Sequence, residues 1–316
     1  MWEIQENKRN LGIVLMCGFD NWVSVLTPRL IDSLLQNFDC YYISSQYDYN
    51  TALMHLDLDA ILSFEPNWAS PKLNYKKEDR NFPIFIYYSD PHKDHWREDY
   101  FLENDLDYVL TPYYHPFKYH FKKIPEEKIV HFPWAIPDDY VAKSKVVFHG
   151  DKKLTCFGSL NHEAYSTRRF VKQFDFVDYS SIGGVENPKL TDDQYLEWLR
   201  TKDVIIAAGS EDPKYRLTTP KYFEIAASGA LLFAQWTEDL ELLGFSCQNS
   251  YIFEEDNFTL HKDVYFNSLN NEEFATHFIK DVRQNGINLI KERHCISHRI
   301  ELLQSKITEW YEKRKQ

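Results

Sequence analysis

One stretch of the sequence combines the residue types needed to hold an anion: Arg216-Leu-Thr-Thr-Pro-Lys-Tyr-Phe-Glu-Ile-Ala-Ala-Ser-Gly229, running on into Ala-Leu-Leu-Phe. Thr219 is a good helix N-cap, because its hydroxyl can accept a free first-turn N–H. Pro220 falls on the first helical position, where a missing N–H costs nothing. Gly229 supplies the left-handed residue that closes a helix. The spacing therefore predicts a short helix over 219–228, set between a polar loop and a buried strand. Its free N–H groups and positive dipole end, with Arg216 and Lys221 alongside, make a site for a diphosphate. Glu224 lies one turn into the helix. A carboxylate is acceptor-only, so it can take two ribose hydroxyl protons at once. The plain alternative is a well-capped structural helix with a surface glutamate, and local chemistry leaves the two readings level.

Further chemistry-bearing residues follow apolar runs. Ser89-Asp90-Pro91-His92 comes directly after PIFIYY, so Asp90 and His92 fall at the carboxyl end of a strand, where α/β proteins bind ligands. Either could hydrogen-bond a ligand or take a proton; the alternative is a turn capped by aspartate and fixed by proline. Glu65, after AILSF, and Gly18-Phe-Asp20, after LGIVLMC, occupy similar strand-end positions. His92 and His95 beside Asp90 and Asp94 have no second cluster, so no metal site is expected. No GxxxxGK[ST] or GxGxxG occurs, which argues against P-loop and dinucleotide-redox chemistry.

The elements that must position these residues alternate in type. Runs over 11–17, 40–44, 60–64, 83–88, 108–111 and 129–132 read as buried strands, with an amphipathic helix over 22–38. Prolines 133 and 137 with Asp138 and Asp139 mark a linker. The pattern then restarts, with strands over 154–157, 176–179, 204–208 and 230–234. Helices are expected over 168–174, 192–200, 219–228, 238–243 and from about 272 onward. Buried strands separated by helices indicate parallel sheets covered on both faces.

The chain of 316 residues is long enough for two domains. Its net charge of −12 works against a nucleic-acid partner. The lysines at 118, 122, 123 and 128 read as a solvated helix face and loop. The cysteines are odd in number, at 17, 40, 156, 247 and 295, and include no CxxC pair, so they read as small core residues in a reducing compartment. The N-terminal residues lack a signal-peptide pattern, and no apolar run approaches the roughly 18 residues of a membrane span. A cytoplasmic protein with at most peripheral membrane contact is expected. Aromatics make up 16% of residues, which fits ring stacking on sugars and equally a compositional bias.

The segment Lys221-Tyr-Phe-Glu-Ile-Ala-Ala-Ser-Gly-Ala-Leu-Leu, followed by Thr237-Glu-Asp-Leu-Glu-Leu-Leu, resembles the C-terminal signature of group-1 glycosyltransferases, most nearly the CgeB-type spore-maturation branch. Leu154-Thr-Cys-Phe-Gly-Ser with Tyr165-Ser-Thr-Arg168-Arg169, Pro133-Trp-Ala and His294-Cys-Ile-Ser-His-Arg299 resemble further elements of that branch, in the right order. The resemblance covers residues 150–300 well and the first half loosely. It implies an α/β, GT-B architecture of two facing Rossmann-like domains with parallel sheets. An acceptor-side domain would span 1–140, a nucleotide-sugar domain 141–295, and a C-terminal helix over 296–316 would cross back to the first.

In that scheme Gly158, Ser159, Arg168, Arg169, Arg216, Thr218, Thr219, Lys221 and Glu224 bind the donor in a cleft. Asp90 and His92 are catalytic, and Gly18, Asp20 and Glu65 lie on the acceptor side. The resemblance implies retaining, metal-independent sugar transfer from a nucleoside diphosphate to a hydroxyl of a glycan, lipid-linked, protein or small-molecule acceptor. No cofactor beyond the nucleotide-sugar substrate is expected. Glu224 matches the later glutamate of the family's E-x7-E motif, whereas the earlier position holds Arg216. That departure leaves room for a non-catalytic nucleotide-binding relative. A phosphosugar transferase and a glycosyltransferase acting on nucleic acid are further alternatives.

Overall fold

A computed structural model of the chain describes residues 8–15, 26–66, 70–73, 80–92, 96–183, 186–270 and 275–315. The chain divides into two compact units. One contains Thr27–Phe132 and Ser297–Gln316 together with the N-terminal strand; the other contains Pro133–Ile296.

Unit 1 carries six strands: β1 (Asn10–Leu15), β2 (Asp39–Ile43), β3 (Ala60–Phe64), β4 (Ile84–Tyr87), β5 (Tyr108–Thr111) and β6 (Ile129–His131). They form a parallel sheet in the order β2-β1-β3-β4-β5-β6. Its helices are α1 (Leu26–Asn37), α2 (Gln46–His55), α3 (Trp96–Glu103) and α4 (Tyr114–His120). Of the expected strand-end groups, Gly18 and Asp20 lie outside the described residues, as do Cys17, Asp94 and His95.

Unit 2 begins with α5 (Asp138–Ala142), which the linker reading passed over, and continues with β7 (Leu154–Phe157), α6 (Ser166–Val171) and β8 (Val177–Ser180). Next come α7 (Asp192–Arg200), β9 (Val204–Ala207), α8 (Pro220–Ser228), β10 (Leu231–Gln235) and α9 (Leu240–Leu243). A short strand missed in the sequence, β11 (Tyr251–Phe253), precedes α10 (Phe258–Leu269) and α11 (Lys280–Arg293), after which α12 (Ile296–Arg314) belongs, from Ser297 on, to unit 1. The parallel order is β11-β10-β9-β7-β8. Each sheet therefore reverses its winding once, next to its first strand: at β1/β3 in unit 1 and at β7/β9 in unit 2. Such reversals leave room for a ligand outside the carboxyl ends of the two strands.

The strand interiors are apolar on both faces, as helix-covered parallel strands require: all residues of β3, β4, β5, β7, β9 and β10 are buried. Buried ion pairs fasten helices to them. Trp310 on α12 donates its indole N–H to Asp107 Oδ1 at 2.8 Å. Asp107 Oδ2 accepts from Arg80 Nη2 at 2.5 Å and from the Ile84 N–H at 2.9 Å. Arg9 adds a bond to Thr308 Oγ1 at 2.7 Å, so the C-terminal helix does return to the first unit. In unit 2, Arg283 donates to the Gly229 carbonyl at 2.6 Å and to Asp203 at 3.3 Å. The basic stripe on unit 1 is neutralised in part, with Lys118 on Glu126, Lys123 on Asp99 and Lys128 on Asp105.

Replacing Asp107 by alanine strands the Arg80 guanidinium in the core and unfastens Trp310. The expected cost is about 3–5 kcal/mol, read as a lower urea midpoint. A midpoint unchanged within error would show that α12 is held by its apolar face alone.

Candidate functional site

The site in unit 2 starts from a turn. Gly158 follows β7 with φ at +97°, a conformation that side chains other than glycine rarely adopt. The space a β-carbon would fill there is occupied by the Lys221 ammonium group, with Arg168 Nη1 3.1 Å away. Two cations thus crowd over one glycine.

Arg168, on α6, is buried. It donates from Nη1 to the Ser159 carbonyl at 2.6 Å and from Nη2 to the Ala208 carbonyl at 2.8 Å. Those carbonyls follow β7 and β9, so the guanidinium spans the point where the sheet reverses. Lys221, second residue of α8, reaches back to the Phe157 carbonyl at 2.7 Å. Neither cation forms an ion pair among the described residues. Burial first, and Arg168 second, push the Lys221 ammonium well below its usual pKa, so the charge is under strain and gains from an arriving anion.

The helix that presents Lys221 differs from expectation at its start. Thr219 is the N-cap residue, with φ −65° and ψ 166°, yet its hydroxyl makes no capping bond. The neighbouring Thr218 hydroxyl is instead buried against Thr237 Oγ1 at 2.6 Å. Tyr222 N–H turns back to the Thr219 carbonyl at 3.1 Å, and Pro220 has no N–H. The Lys221 N–H is the first-turn donor that helix geometry leaves over, on the same residue as the ammonium. At the other end Gly229 closes the helix at φ +87°, and a β-carbon there would collide with the Lys145 carbonyl.

Glu224 is not a surface residue: it is 3% exposed. Its Oε2 accepts from the Tyr195 hydroxyl on α7 at 2.6 Å. Burial raises its carboxyl to about 7, against the opposing pull of Tyr195 and Lys221. The other nominated cations have different partners. Arg216 pairs with Glu238 at 2.9 Å, donates to the Glu211 carbonyl and lies over Trp236. Arg169 is exposed and ties the Leu160 and His162 carbonyls, each at 2.7 Å. The structure therefore brings together Gly158, Ser159, Arg168 and Lys221, with Glu224 one turn along α8, and gives Arg169 and Arg216 contacts of their own.

Sequence reading missed the supports. Tyr179 donates to the Gly158 carbonyl at 2.6 Å. Gln235 accepts from the Gly209 N–H at 2.7 Å and donates to Thr167 Oγ1 at 2.8 Å, fixing the loop after β9 against the helix that carries Arg168. A glutamine closing the otherwise apolar run ALLFA was a readable signal. Tyr195 had none, because only folding sets α7 beside α8.

In unit 1, Glu65 after β3 and Ser89-Asp90 after β4 do meet. Glu65 sits at φ +40°, a strained conformation for a glutamate. Its carboxylate accepts from the Ser89 N–H at 2.5 Å and from Arg97 at 2.7 Å. Burial, then the Asp90 charge, raise it to about 7, with Arg97 opposing. The Asp90 carbonyl accepts from the Tyr88 hydroxyl at 2.6 Å. His92 follows, partly exposed.

A protein-family profile described as glycosyl transferase-like matches residues 143–305, just over half of the 316-residue chain and all of the site in unit 2. The chain belongs to the glycosyl transferase-like family. Solved structures agree on the fold. This glycosyltransferase superposes on one from Rickettsia africae with a TM-score of 0.64 at 12% identity, covering 96% of this chain and 99% of the other. Anabaena HepE, solved in complex with UDP and glucose, gives a TM-score of 0.61 at 8% identity over 95% of this chain and 100% of the other. An α1,3-fucosyltransferase with GDP-fucose gives 0.50 at 10% identity over 93% and 98%. These likenesses establish the α/β, GT-B fold of two Rossmann-like parallel sheets. No curated protein sequence matches the chain. Among the described residues, no helix is long and apolar enough to cross a membrane, and no group of three or more potential metal ligands is present.

The raised pKa of Glu224 has a stability consequence of defined sign. The folded state binds this proton more tightly than the unfolded chain. Its contribution is therefore complete below about 4.5 and is lost as pH rises through about 7. The loss is on the order of 3 kcal/mol. Glu224→Gln, which stays neutral, should flatten that fall in a urea series from pH 5 to 8. An unaltered slope would mean that Glu224 is ionised throughout.

Proposed function

We propose that this glycosyltransferase moves a sugar from a nucleoside-diphosphate donor to an acceptor hydroxyl, and that unit 2 grips the donor through Arg168, Lys221 and the start of α8. The observation that carries the reading is the pair of cations over Gly158, neither of which forms an ion pair among the described residues. Two positive charges held together in a partly buried place repel each other, and a diphosphate is the ligand class that relieves both. That the Anabaena neighbour was solved with UDP and glucose, and the fucosyltransferase with GDP-fucose, supports a diphosphate donor. The ordered signature elements in residues 150–300 support the further reading that the chain is of the CgeB-type branch.

Arg168 and Lys221 hold the diphosphate and meet the negative charge that grows on it as the glycosidic bond breaks. The Lys221 N–H adds the dipole end of α8. Glu224, oriented by Tyr195, accepts the ribose hydroxyls. Gly158 and Ser159 let the chain approach closely, and Thr218 and Thr219 shape the loop entering α8. Arg216 and Arg169 support loops flanking the site. On unit 1, Asp90 and His92 handle the acceptor proton, and Glu65 orients the acceptor. Transfer is metal-independent and retaining, acts on a glycan, lipid-linked, protein or small-molecule acceptor, and takes place in the cytoplasm.

A thermal-shift panel of UDP, GDP, CMP, ADP and their sugars tests the reading. A true donor at a hundred times its dissociation constant adds about 2.7 kcal/mol of stability. Arg168→Ala and Lys221→Ala should each remove that shift and cost about 2–4 kcal/mol of transition-state stabilisation. Arg169→Ala should leave the shift in place. Full shift and full turnover in both the Arg168 and Lys221 variants would overturn the assignment. Tight binding with neither transfer nor donor hydrolysis would favour a non-catalytic nucleotide-binding relative, the reading suggested by Arg216 at the first position of the acidic motif.

A further inference from the structure

The two cations over Gly158 differ in one chemical respect. A guanidinium does not give up its proton in a protein, whereas a lysine ammonium does so readily when desolvated. Lys221 Nζ and Arg168 Nη1 both crowd the point that a Gly158 β-carbon would occupy. Repulsion between them is therefore relieved, in the empty site, at Lys221 alone. Lys221 and the neighbouring Ser159 each keep part of their surface in solvent.

The charged and titratable groups facing Nζ come from four elements. Arg168 on α6 opposes the ammonium, while Cys156 on β7, Glu224 on α8 and Glu186 in the loop after β8 favour it. None of those three is a full counter-charge. Burial pushes the Cys156 thiol up, so it is neutral at physiological pH. The Glu224 carboxyl, raised to about 7, is only part ionised there. Glu186 is exposed, where water and salt screen it, and its carboxylate accepts from the Leu160 N–H at 2.7 Å. The nearby hydroxyls of Tyr179 and Tyr195 are committed to the Gly158 carbonyl and to Glu224.

The remaining contacts of Nζ hold it in place in either state. A neutral amine still donates to the Phe157 carbonyl at 2.7 Å and stays against the Phe157 ring, whose centre is 4.0 Å away. As pH rises, the amine can thus lose its charge without leaving its seat over Gly158. Burial, and after it Arg168, bring that loss well below the usual lysine range. An arriving diphosphate supplies the negative charge that Cys156, Glu224 and Glu186 supply only in part, and favours the ammonium again.

We infer that binding of the diphosphate donor draws a proton from solvent onto Lys221 Nζ, and that release of the diphosphate product returns it. The inference rests on the donor assignment above and adds the proton as a second ligand of that site. In the first arm of the test, protein carrying 13C at lysine Cε is titrated without ligand from pH 7 to 10.5. One resonance, absent from Lys221→Met, should move well before the others. In the second arm, UDP-glucose and GDP-fucose, whose phosphates do not titrate in this range, are bound calorimetrically between pH 7 and 8.5. Buffers of different ionisation enthalpy report the protons exchanged. Uptake should climb toward one proton per ligand with pH, and affinity should weaken by up to about tenfold per pH unit. Lys221→Arg, which stays charged, should bind without uptake, and Glu224→Gln should retain it. A Lys221 resonance titrating with the surface lysines overturns the inference, as does uptake that survives Lys221→Arg and vanishes in Glu224→Gln. Binding with no buffer dependence sinks the inference alone and leaves the donor assignment standing. If neither these two nor any other nucleotide-sugar of the thermal-shift panel binds, the donor assignment falls and the coupling falls with it.

Discussion

Two like charges held side by side, neither in an ion pair among the described residues and relieved only in part by the Glu224 and Glu186 carboxylates, are the constraint around which unit 2 is arranged. A guanidinium and an ammonium over one glycine repel each other and both lose hydration. They stay because the scaffold gives them no other option. Arg168 is clamped by carbonyls at the ends of β7 and β9, and Lys221 by the last carbonyl of β7. Helix α8 is closed at Gly229 against the Lys145 carbonyl and bonded through it to Arg283, so it cannot swing the lysine away. On the proposed function, these two cations are in place before the donor arrives, and little reorganisation is left to oppose binding.

The surrounding packing follows from that requirement. Gln235, Thr167 and the half-buried Glu255 form a chain of bonds that sets the loop after β9. Tyr179 fixes the Gly158 turn from β8. Tyr195 and Glu224 share one bond between adjacent helices, and the carboxyl is raised into the physiological range by its burial. Arg216, by contrast, is matched to Glu238, which removes it from the set of cations left for a ligand.

Unit 1 uses the same winding for different chemistry. Its carboxyl edge gathers acceptors and donors of both signs, with a strained glutamate after β3 and a neutral histidine at the end of the outermost strand β6. The two edges differ in the charges they gather, although both sheets reverse next to their first strand.

The sequence by itself determined the fold class, most strands and the helix over 220–228, because buried strands, proline at the first helical position and glycine past the last are local signals. It also named Arg168, Lys221 and Glu224, as members of a larger set. Only tertiary structure decided among that set. Arg168 and Arg169 are neighbours in sequence, yet one points under the sheet edge and the other to a surface loop. That choice depends on helix phase and on where the Ala208 carbonyl falls, forty residues along. Thr219 has an ideal capping sequence and makes no capping bond, since its neighbour's burial sets the loop. His131 carried no motif at all. Its neutral state is set by burial and by Arg299 and His115 on other elements, which no local stretch of residues encodes.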